Sequence, residues 1–486
     1  MPGKNQIKDR YGLPMSTGSV LAAECYVDGT DLLLSMVFGS EERYRKAIEA
    51  DEGFALAHGA LAYRLMYEGK MKEAKASALR ARSLASGTSR WERRHVEAIA
   101  LMIEGPGPRA LTYIREHLAE YPRDVLLLTA AQDLLFYGCS GGGSASFPQD
   151  MMALLKGVES SYGEDWAFLG LYAFAHHESG LLDDALRLAQ HSLDLRPDNA
   201  HGSHSVAHVF FERSQNDEGN DFLDNWIQGY DRRSPYYGHL IWHLALFQLA
   251  QGHYRQVLHL YEEGIRPFVA VKDPSSLADG ASLMWRWQLY SGAAPPTALQ
   301  ELGDLASSVS HGPGSAYRDV HAALAFCCTG DGDGLDRMIQ RLRNQGSTGD
   351  ALAAEVMVPL LQGLDAFVRG AYEQALEFME PLFGAAHLGQ LVRIGGSHAQ
   401  REVLEDTLIV AYLRTQRFDK AERLLRTRLK RRSSPRDLFW LAQAHEGSDR
   451  TEEARRSLAG VNLAWRDADP ESPEMAALAG LGQKLR

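Results

Sequence analysis

Four histidines in the middle of the chain are spaced so that their side chains could act together on one bound ion or molecule. His204 and His208 are four residues apart in NAHGSHSVAH, and His239 and His243 are four residues apart in HLIWHLAL. On a helix this spacing puts both imidazoles of a pair on one face. Such a pair can bind Zn, Fe or Ni through neutral imidazole, or it can act as a general acid and base near neutral pH. The spacing lacks the embedded Glu of the HExxH zinc-peptidase motif, so it leaves both chemistries open.

Each of these histidines, taken alone, could instead be a core residue. His243 stands next to Trp242, and a histidine packed on a tryptophan is often structural. The density of the group nevertheless favours a functional cluster, because buried polar clusters seldom form without a function.

The helices that must position these residues are predicted by a repeat. Residues 166–199 form a 34-residue helix-turn-helix unit with small packing residues at Ala173 and Ala185, a turn at Gly180 and an end at Pro197. Thirty-four residues is the tetratricopeptide period. A turn residue followed by a small or apolar residue recurs in the pairs Gly69–Ala74, Gly252–Val257, Gly370–Ala375, Gln416–Ala421 and Ser448–Ala454. Because a single unit leaves an apolar face exposed, the sequence predicts an all-α tetratricopeptide-repeat α-solenoid, a curled superhelix of stacked helix pairs.

Composition narrows the classes of partner. The 486 residues include 63 acidic and 51 basic side chains, for a formal charge of -12, whereas phosphate binding needs clustered Lys and Arg, so we expect no nucleic-acid partner. The one basic run, residues 426–436, is expected to complement a helix dipole. The N-terminus has no apolar signal region and no window approaches 18 uncharged apolar residues, so we expect a cytoplasmic protein with no membrane partner. The four cysteines show no CxxC spacing and are expected to be reduced.

The chain is predicted to fold as one body with few breaks. Its expected segments are an N-terminal leader (1–20), N-terminal helical repeats (21–137), a flexible Gly/Ser loop that could act as a lid (138–148) and a solenoid that continues the same body (149–486). We further expect the first helix to start at Ser16 and Thr17, a Gly-Pro connection over 291–316, and a break at Gly395 and Gly396.

The repeat register predicts which way the histidines point. Counted from Ala200, His204 and His208 fall at positions 5 and 9, which face the groove of such a unit. The preceding unit would add His177 and Glu178 from its own first helix. Peptide-binding grooves generally present Lys, Arg and Asn, so histidines at these positions favour a small-molecule pocket over a peptide track.

A second cluster lies in RIGGSHAQRE, residues 393–402. Ser397 and Gln400 have the spacing of a capping box at a helix start. A helix N-terminus attracts anions, and Arg401 on its first turn would favour a carboxylate or phosphate. The glycines at 395–396 would let such a ligand approach the backbone.

Several segments together resemble the tetratricopeptide repeat protein 38 family over nearly the whole chain. They are YGLPMST, RWERRHVEA (90–98), NAHGSHSVAH, HLIWHLAL, DGASLMWRWQ (279–288), YRDVHAALA (317–325) and, most specifically, IGGSHAQRE. The resemblance implies that the motif positions to carry over are His204, His208, His239, His243, Asp279, Arg286, Asp319, His321, His398, Gln400 and Arg401. It implies no particular activity. Similar sequences tend to have Glu where Phe211 stands here, which weakens Glu212 as a third ligand.

These observations define the candidate site. The expected catalytic residues are His204, His208, His239, His243, Asp319, His321 and His398. The expected substrate-binding residues are Arg286, Gln400, Arg401, Trp242 and Asp279. A divalent metal is compatible with the four central histidines, and an oligomer is compatible with the sequence.

Two functions stay open. The first is a pocket that binds a small polar or carboxylate ligand and acts on it as a hydrolase or lyase; the sequence favours an enzyme without naming the reaction. The second is a non-enzymatic scaffold that binds a protein partner through a peptide along the groove.

Overall fold

The computed structural model describes residues 6–105, 107–137, 144, 146–312, 314–384 and 389–485. These residues form 26 α-helices with short 3₁₀ and π turns, and no strand occurs among them. An isolated bridge joins Lys8 and Pro14. In the described part of the chain, every helix is too short or too polar to cross a membrane. The prediction of an all-α fold is therefore confirmed.

The chain divides into two compact units. Unit 1 comprises Met1–Val206 and Gly229–Tyr237, and unit 2 comprises Ala207–Gln228 and Gly238–Arg486. One boundary falls inside the helix α11 (Ala200–Glu212), and another falls after Tyr237, the first residue of the helix that ends at Ala250.

Unit 1 is built mainly from ten helices. They are α1 (Val20–Leu34), α2 (Ser40–Ala50), α3 (Ala55–Tyr67), α4 (Met71–Ala85), α5 (Arg90–Glu104), α6 (Gly107–Glu120), α7 (Val125–Phe136), α8 (Phe147–Val158), α9 (Trp166–Glu178) and α10 (Leu182–Leu195). Helices α1 and α2, α3 and α4, and α9 and α10 pack as pairs, and α2 packs on α3 and α4 on α5, so neighbouring pairs stack.

Unit 2 contains the remaining helices. They are α12 (Asn216–Ile227), α13 (Tyr237–Ala250), α14 (Tyr254–Leu260), α15 (Arg266–Ala270), α16 (Ser276–Ser291), α17 (Gln300–Ser310), α18 (Ala316–Thr329), α19 (Gly332–Ser347), α20 (Val358–Val368), α21 (Tyr372–Met379), α22 (His398–Arg414), α23 (Phe418–Arg431), α24 (Pro435–Gly447), α25 (Thr451–Ala464) and α26 (Pro473–Lys484). Helices α20 and α21 and helices α24 and α25 pack as pairs, and α16 packs on both α18 and α22.

The predicted repeat unit is present as α9 and α10. Gly180 lies between them with φ +77°, the left-handed conformation that ends a helix and that glycine adopts without strain. Ser214 takes the same conformation 34 residues later, with φ 54°. The predicted packing residues Ala74, Ala185, Val257, Ala375, Ala421 and Ala454 are all fully buried. Small residues at these positions let paired helices approach closely. In the last pair Ser448 lies in the turn, as predicted, and the left-handed residue is the next one, Asp449.

The N-terminal segment packs on unit 1 before its first helix begins. The Trp91 indole donates to the carbonyl of Pro14 (2.7 Å), and the Ser16 amide donates to Glu92 (2.7 Å). Helix α1 is capped by Ser19, whose side chain accepts from the Ala22 amide. The predicted helix start at Ser16 is therefore three residues too early, because Ser16 is held in this segment by Glu92.

The predicted Gly-Pro connection over 291–316 is wrong in its centre. Helix α17 occupies Gln300–Ser310. Leu302, Leu305 and Ala306 are fully buried, and their spacing of three and four residues gives the segment one apolar face. The glycines and prolines only flank it.

Two further expectations concern the Gly/Ser loop and the cysteines. Most of the predicted loop, and the lid proposed for it, lies outside the described residues, and its last part belongs to α8, where Phe147 is buried. Cys25, Cys327 and Cys328 are buried free thiols, as expected, whereas Cys139 falls outside the described residues.

Candidate functional site

The histidines of α11 and α13 come together. The ring centroids of His208 and His243 are 4.5 Å apart, and those of His239 and His243 are 4.9 Å apart. His208 and His243 are buried, and His239 is partly buried. One ligand atom from each of His208, His239 and His243, all in unit 2, lies within 4.8 Å of the others, whereas His204, one turn earlier on α11, belongs to unit 1. The predicted His-rich group is therefore present, and its binding of a metal ion stays a prediction.

Asp279, near the start of α16, fixes the orientation of His239. Its Oδ1 lies 2.8 Å from His239 Nδ1, and the carboxylate is almost fully buried. A carboxylate accepts the Nδ1 proton, so the lone pair of this imidazole lies on Nε2. Trp242 stacks on the same ring at 5.3 Å with an interplanar angle of 14°, and its indole N–H donates to Ser282 (3.0 Å). Asp279 and Trp242 were expected to bind substrate, and the structure places both on His239.

Asp279 also influences two side chains of α18. Burial, and then the charge of Asp279, raise the pKa of the Tyr317 phenol well above its usual value. His321 lies one turn further on, and its Nδ1 contacts the Tyr317 carbonyl at 2.7 Å, which leaves the Nε2 lone pair of the neutral ring. Burial lowers the pKa of His321 to about 4. His321 is therefore a neutral hydrogen-bond acceptor at physiological pH and not an imidazolium.

The N-terminal end of α22 and the turn before it contact Tyr317. Ser397 caps the helix and forms a capping box with Gln400, as the sequence predicted. The Gln400 amide donates to the Tyr317 hydroxyl at 2.5 Å. Gly395 and Gly396 have φ values of +87° and +81°, and a Cβ on Gly396 would lie 2.6 Å from the Tyr317 ring. The glycines were expected to let a ligand approach the backbone, but at Gly396 the missing side chain leaves room for the Tyr317 ring.

The two arginines expected to clamp a carboxylate donate to backbone carbonyls. Arg401 donates to Gly395 and Gly396, the turn just before its own helix. Arg286 donates to the carbonyls of Ser282 and Ala399. Both guanidinium groups are more than nine-tenths buried. They thus hold α16 and the α22 turn in place, which is a different role from the predicted bidentate clamp.

Two predicted catalytic residues lie in other contacts. Asp319 pairs with Arg341 at 2.8 Å, so this carboxylate belongs to an ion pair between α18 and α19. His398 contacts Glu212 at 3.1 Å, and Glu212 in turn pairs with Arg431 at 2.6 Å. Burial, and then the charge of Arg431, lower the pKa of His398. Glu212 thus lies between His398 and Arg431, and its expected weakness as a third ligand stays a prediction.

His177 and Glu178 were expected to extend the group from a third helix. They lie in unit 1, where His177 Nδ1 is 3.3 Å from Glu178 and its ring stacks on Phe174 at 5.7 Å. His204 also stacks on Phe174, at 5.4 Å. The metal-competent group found among the described residues does not include His177 or Glu178.

Three of the six basic side chains in the run are buried in unit 2, so the run does more than complement a helix dipole. Arg428 contacts Glu402 (3.0 Å), Asp406 (2.8 Å) and Asp437 (2.9 Å), with Glu405 at 3.7 Å. All four carboxylates are buried. Burial opposes ionisation of Glu402, but the neighbouring arginines lower its pKa to about 2. Arg432 and Arg436 are also buried and form ion pairs with Glu402 and Glu474, respectively. The buried half of the run therefore forms internal ion pairs.

Sequence reasoning missed one buried cluster in unit 1. Asp124 Oδ2 lies 2.7 Å from His95 Nδ1 and 2.8 Å from His117 Nε2, and all three residues are buried. Burial opposes ionisation, but the two imidazoles hold the pKa of Asp124 well below its usual range. Only the RWERRHVEA segment drew attention to His95. The other two residues follow no short spacing, because α5, the end of α6 and the cap of α7 supply one each.

These contacts define the class of the protein: an all-α repeat protein of stacked, tetratricopeptide-type helix pairs, with a histidine cluster on two of its helices. No protein-family model matches the chain. Among solved structures it is similar to the APC/C hetero-tetramer Cut9-Hcn1 (14% identity, TM-score 0.44, covering 95% of this chain and 90% of that one). It is also similar to the human IFIT1 dimer with m7Gppp-AAAA (14% identity, TM-score 0.40, covering 89% and 94%). Similarity at such low sequence identity and TM-score supports no inference about function.

Proposed function

We propose that the histidine cluster of unit 2 binds a small polar, anionic molecule and acts on it as a hydrolase or lyase. The observation that carries this proposal is the convergence of His208, His239 and His243 on one point, with Asp279 behind His239. Apolar side chains would pack two helices at lower cost, because buried polar groups must be compensated by hydrogen bonds. A cluster retained in such a place points to chemistry rather than to packing.

Asp279 links this cluster to the second group of polar side chains. Its charge acts on the Tyr317 phenol and on His321, and the charge of Arg401 also reaches Tyr317. Gln400 holds the tyrosine hydroxyl. The proposed site therefore combines the imidazoles with a phenol and the charge of Arg401, groups that can orient a small polar anion.

The proposed chemistry divides between these groups. A neutral imidazole of the cluster can accept a proton at one ring nitrogen and donate one from the other, which is the general acid and base role proposed for it. His321, whose pKa is about 4 because of burial, stays neutral and orients a substrate by accepting a hydrogen bond. Arg401, which is buried, supplies a fixed positive charge that favours the anionic form of a substrate.

The test is ligand-induced thermal stabilisation. A screen of small carboxylates and phosphates on the intact chain should give compounds that raise the melting temperature, because a ligand at 100 times its Kd adds about 2.7 kcal/mol. The double variant His208→Ala with His243→Ala should lose this shift. His259→Ala, an exposed histidine on α14, is the matched control and should keep it. A shift that survives the double substitution would refute the proposal.

We also propose that the chain belongs to the tetratricopeptide repeat protein 38 family. Support comes from the segments that carry the resemblance, because five of them supply the connected residues His208, His239, Asp279, Tyr317 and Gln400. An alignment of the family with this chain should retain those residue types. Apolar residues at several of these positions in the family would contradict the assignment.

A protein-binding scaffold is the second candidate function. It is favoured by a surface groove of about 510 Å³ in unit 2, lined by Tyr290, Phe418, Phe439, Trp440 and Arg414 among others. Aromatic and arginine side chains are the residues that most often anchor a partner. Affinity capture with the wild-type chain should then recover one stoichiometric protein that Trp440→Ala loses. Equal recovery by the variant would exclude the groove.

A further inference from the structure

We propose that His208, His239 and His243 are the protein ligands of a divalent first-row transition ion such as Zn²⁺. This inference rests on the proposed function, because the ion would be the electrophile of that site. It names the cofactor, whereas the proposed function can also proceed by imidazole acid-base chemistry alone.

The first argument is geometric. The imidazole ligand atoms of the cluster lie within 4.8 Å of one another. Nitrogen atoms 2.0 to 2.1 Å from a tetrahedral Zn²⁺ are about 3.3 Å apart. The imidazoles therefore need to close by about 1.5 Å at most, which small rotations of the rings about their side-chain bonds can provide.

The second argument is the type of ligand. Imidazole nitrogen is a ligand that zinc and related first-row ions favour, and His208, His239 and His243 bring three such rings together.

The third argument is Asp279. A metal-bound histidine usually donates its other ring N–H to a carboxylate or carbonyl, which fixes the ring and makes the ligand nitrogen more basic. His239 does so through Nδ1, 2.8 Å from Asp279 Oδ1, and thereby presents Nε2 to the cluster. Trp242 stacks on the ring and holds its plane.

The ligand set also indicates what the ion would do. Three histidines leave a tetrahedral ion one open position for water or a substrate oxygen, as in catalytic zinc sites. Neutral ligands leave the full charge of the ion in place, so the open position attracts an anionic oxygen. This matches the substrate class of the proposed function.

The test measures metal binding without any substrate. The intact chain, freed of metal by a chelator and dialysed, is titrated calorimetrically with Zn²⁺, and in parallel with Co²⁺, whose visible spectrum reports nitrogen coordination. We expect one equivalent to bind. Asp279→Asn should weaken binding by about 10- to 100-fold, and His239→Ala should weaken it further, because it removes a ligand. His259→Ala on the exposed face of α14 should bind as the wild type does.

The outcomes separate the two proposals. Absence of stoichiometric Zn²⁺ and Co²⁺ binding, or binding unaffected by both His239→Ala and Asp279→Asn, overturns the metal site. Circular dichroism and the melting temperature of each metal-free variant show whether it is folded, and Asp279→Asn keeps the shape of the side chain. If no metal binds and carboxylates still stabilise the chelator-treated chain through His208 and His243, the proposed function stands while the metal inference fails. If metal binds and no anion does, the reverse holds.

Discussion

Replacing Arg428 by methionine should destabilise unit 2 strongly. The guanidinium is 4% exposed and lies among four buried carboxylates, three of them within 3.0 Å: Glu402, Asp406 and Asp437. Removing one partner of a buried ion pair costs about 3–5 kcal/mol, because the remaining charge has lost its compensation. In a body of this size each kcal/mol lowers the melting temperature by roughly 2–4 °C. The expected loss is therefore roughly 6–20 °C.

The matched control is on the same helix. Arg423 pairs with Asp419 at 3.0 Å, but both side chains are about 70% exposed. Surface pairs contribute about 1 kcal/mol at most, so Arg423→Met should leave the melting temperature nearly unchanged. The two variants make the same chemical change and differ in burial.

The assay is thermal and urea unfolding of both variants beside the wild type, at pH 7 and at pH 5. The Arg428→Met deficit should shrink at pH 5, because carboxylates that lose their cation in a buried site gain a raised pKa and take up protons. A deficit within about 1 kcal/mol of the Arg423→Met value at pH 7 would refute the reasoning. It would mean that the buried carboxylates do not need Arg428.

Two further predictions test unit 1 and the site. Burial raises the pKa of Asp133 to about 7, and the Tyr63 hydroxyl donates to its carboxylate. Because this folded-state pKa lies above the unfolded value, the group adds stability as the pH falls from about 7 to 4. Asp133→Asn should remove that gain when melting temperatures are measured across this pH range, and an unchanged pH profile would count against the prediction. Gly396→Ala should destabilise the protein more than Gly292→Ala, although both glycines have a positive φ (+81° and +69°), because a Cβ at Gly396 would lie 2.6 Å from the Tyr317 ring and one at Gly292 would meet nothing within 4 Å. Gly292→Ala should cost about 1–2 kcal/mol for its backbone conformation alone. Equal losses of unfolding free energy in urea would argue against the contact with Tyr317.

The pairing of helices could be read from the sequence because its determinants are local. A left-handed residue such as Gly180 ends one helix, and a small residue such as Ala185 allows close packing five positions later. Both signals lie within a few residues of the structure they specify. Local signals also explain why the sequence does not predict α17. Glycine and proline on either side of Leu302 and Leu305 indicate a connection, although these two residues lie on the apolar face of a helix.

The histidine cluster was predictable only in part. The i, i+4 spacing fixed each pair on one face of a helix, and the repeat register brought α11 and α13 side by side. The partner of His239 could not be read in this way, since Asp279 lies 40 residues further along the chain. Nor could the spacing show that Arg286 and Arg401 would be taken up by backbone carbonyls.

The sequence by itself determined the helices, their turns and the faces on which the histidines stand, because hydrophobic period, capping and glycine conformation act over one or two helical turns. The tertiary structure alone decided which charges meet: Asp279 with His239, Asp124 with His95, and Arg428 with its four carboxylates. The energy of a charge depends on its burial and on its nearest opposite charge. Those quantities are set when distant helices pack, and a single sequence contains no local signal for them.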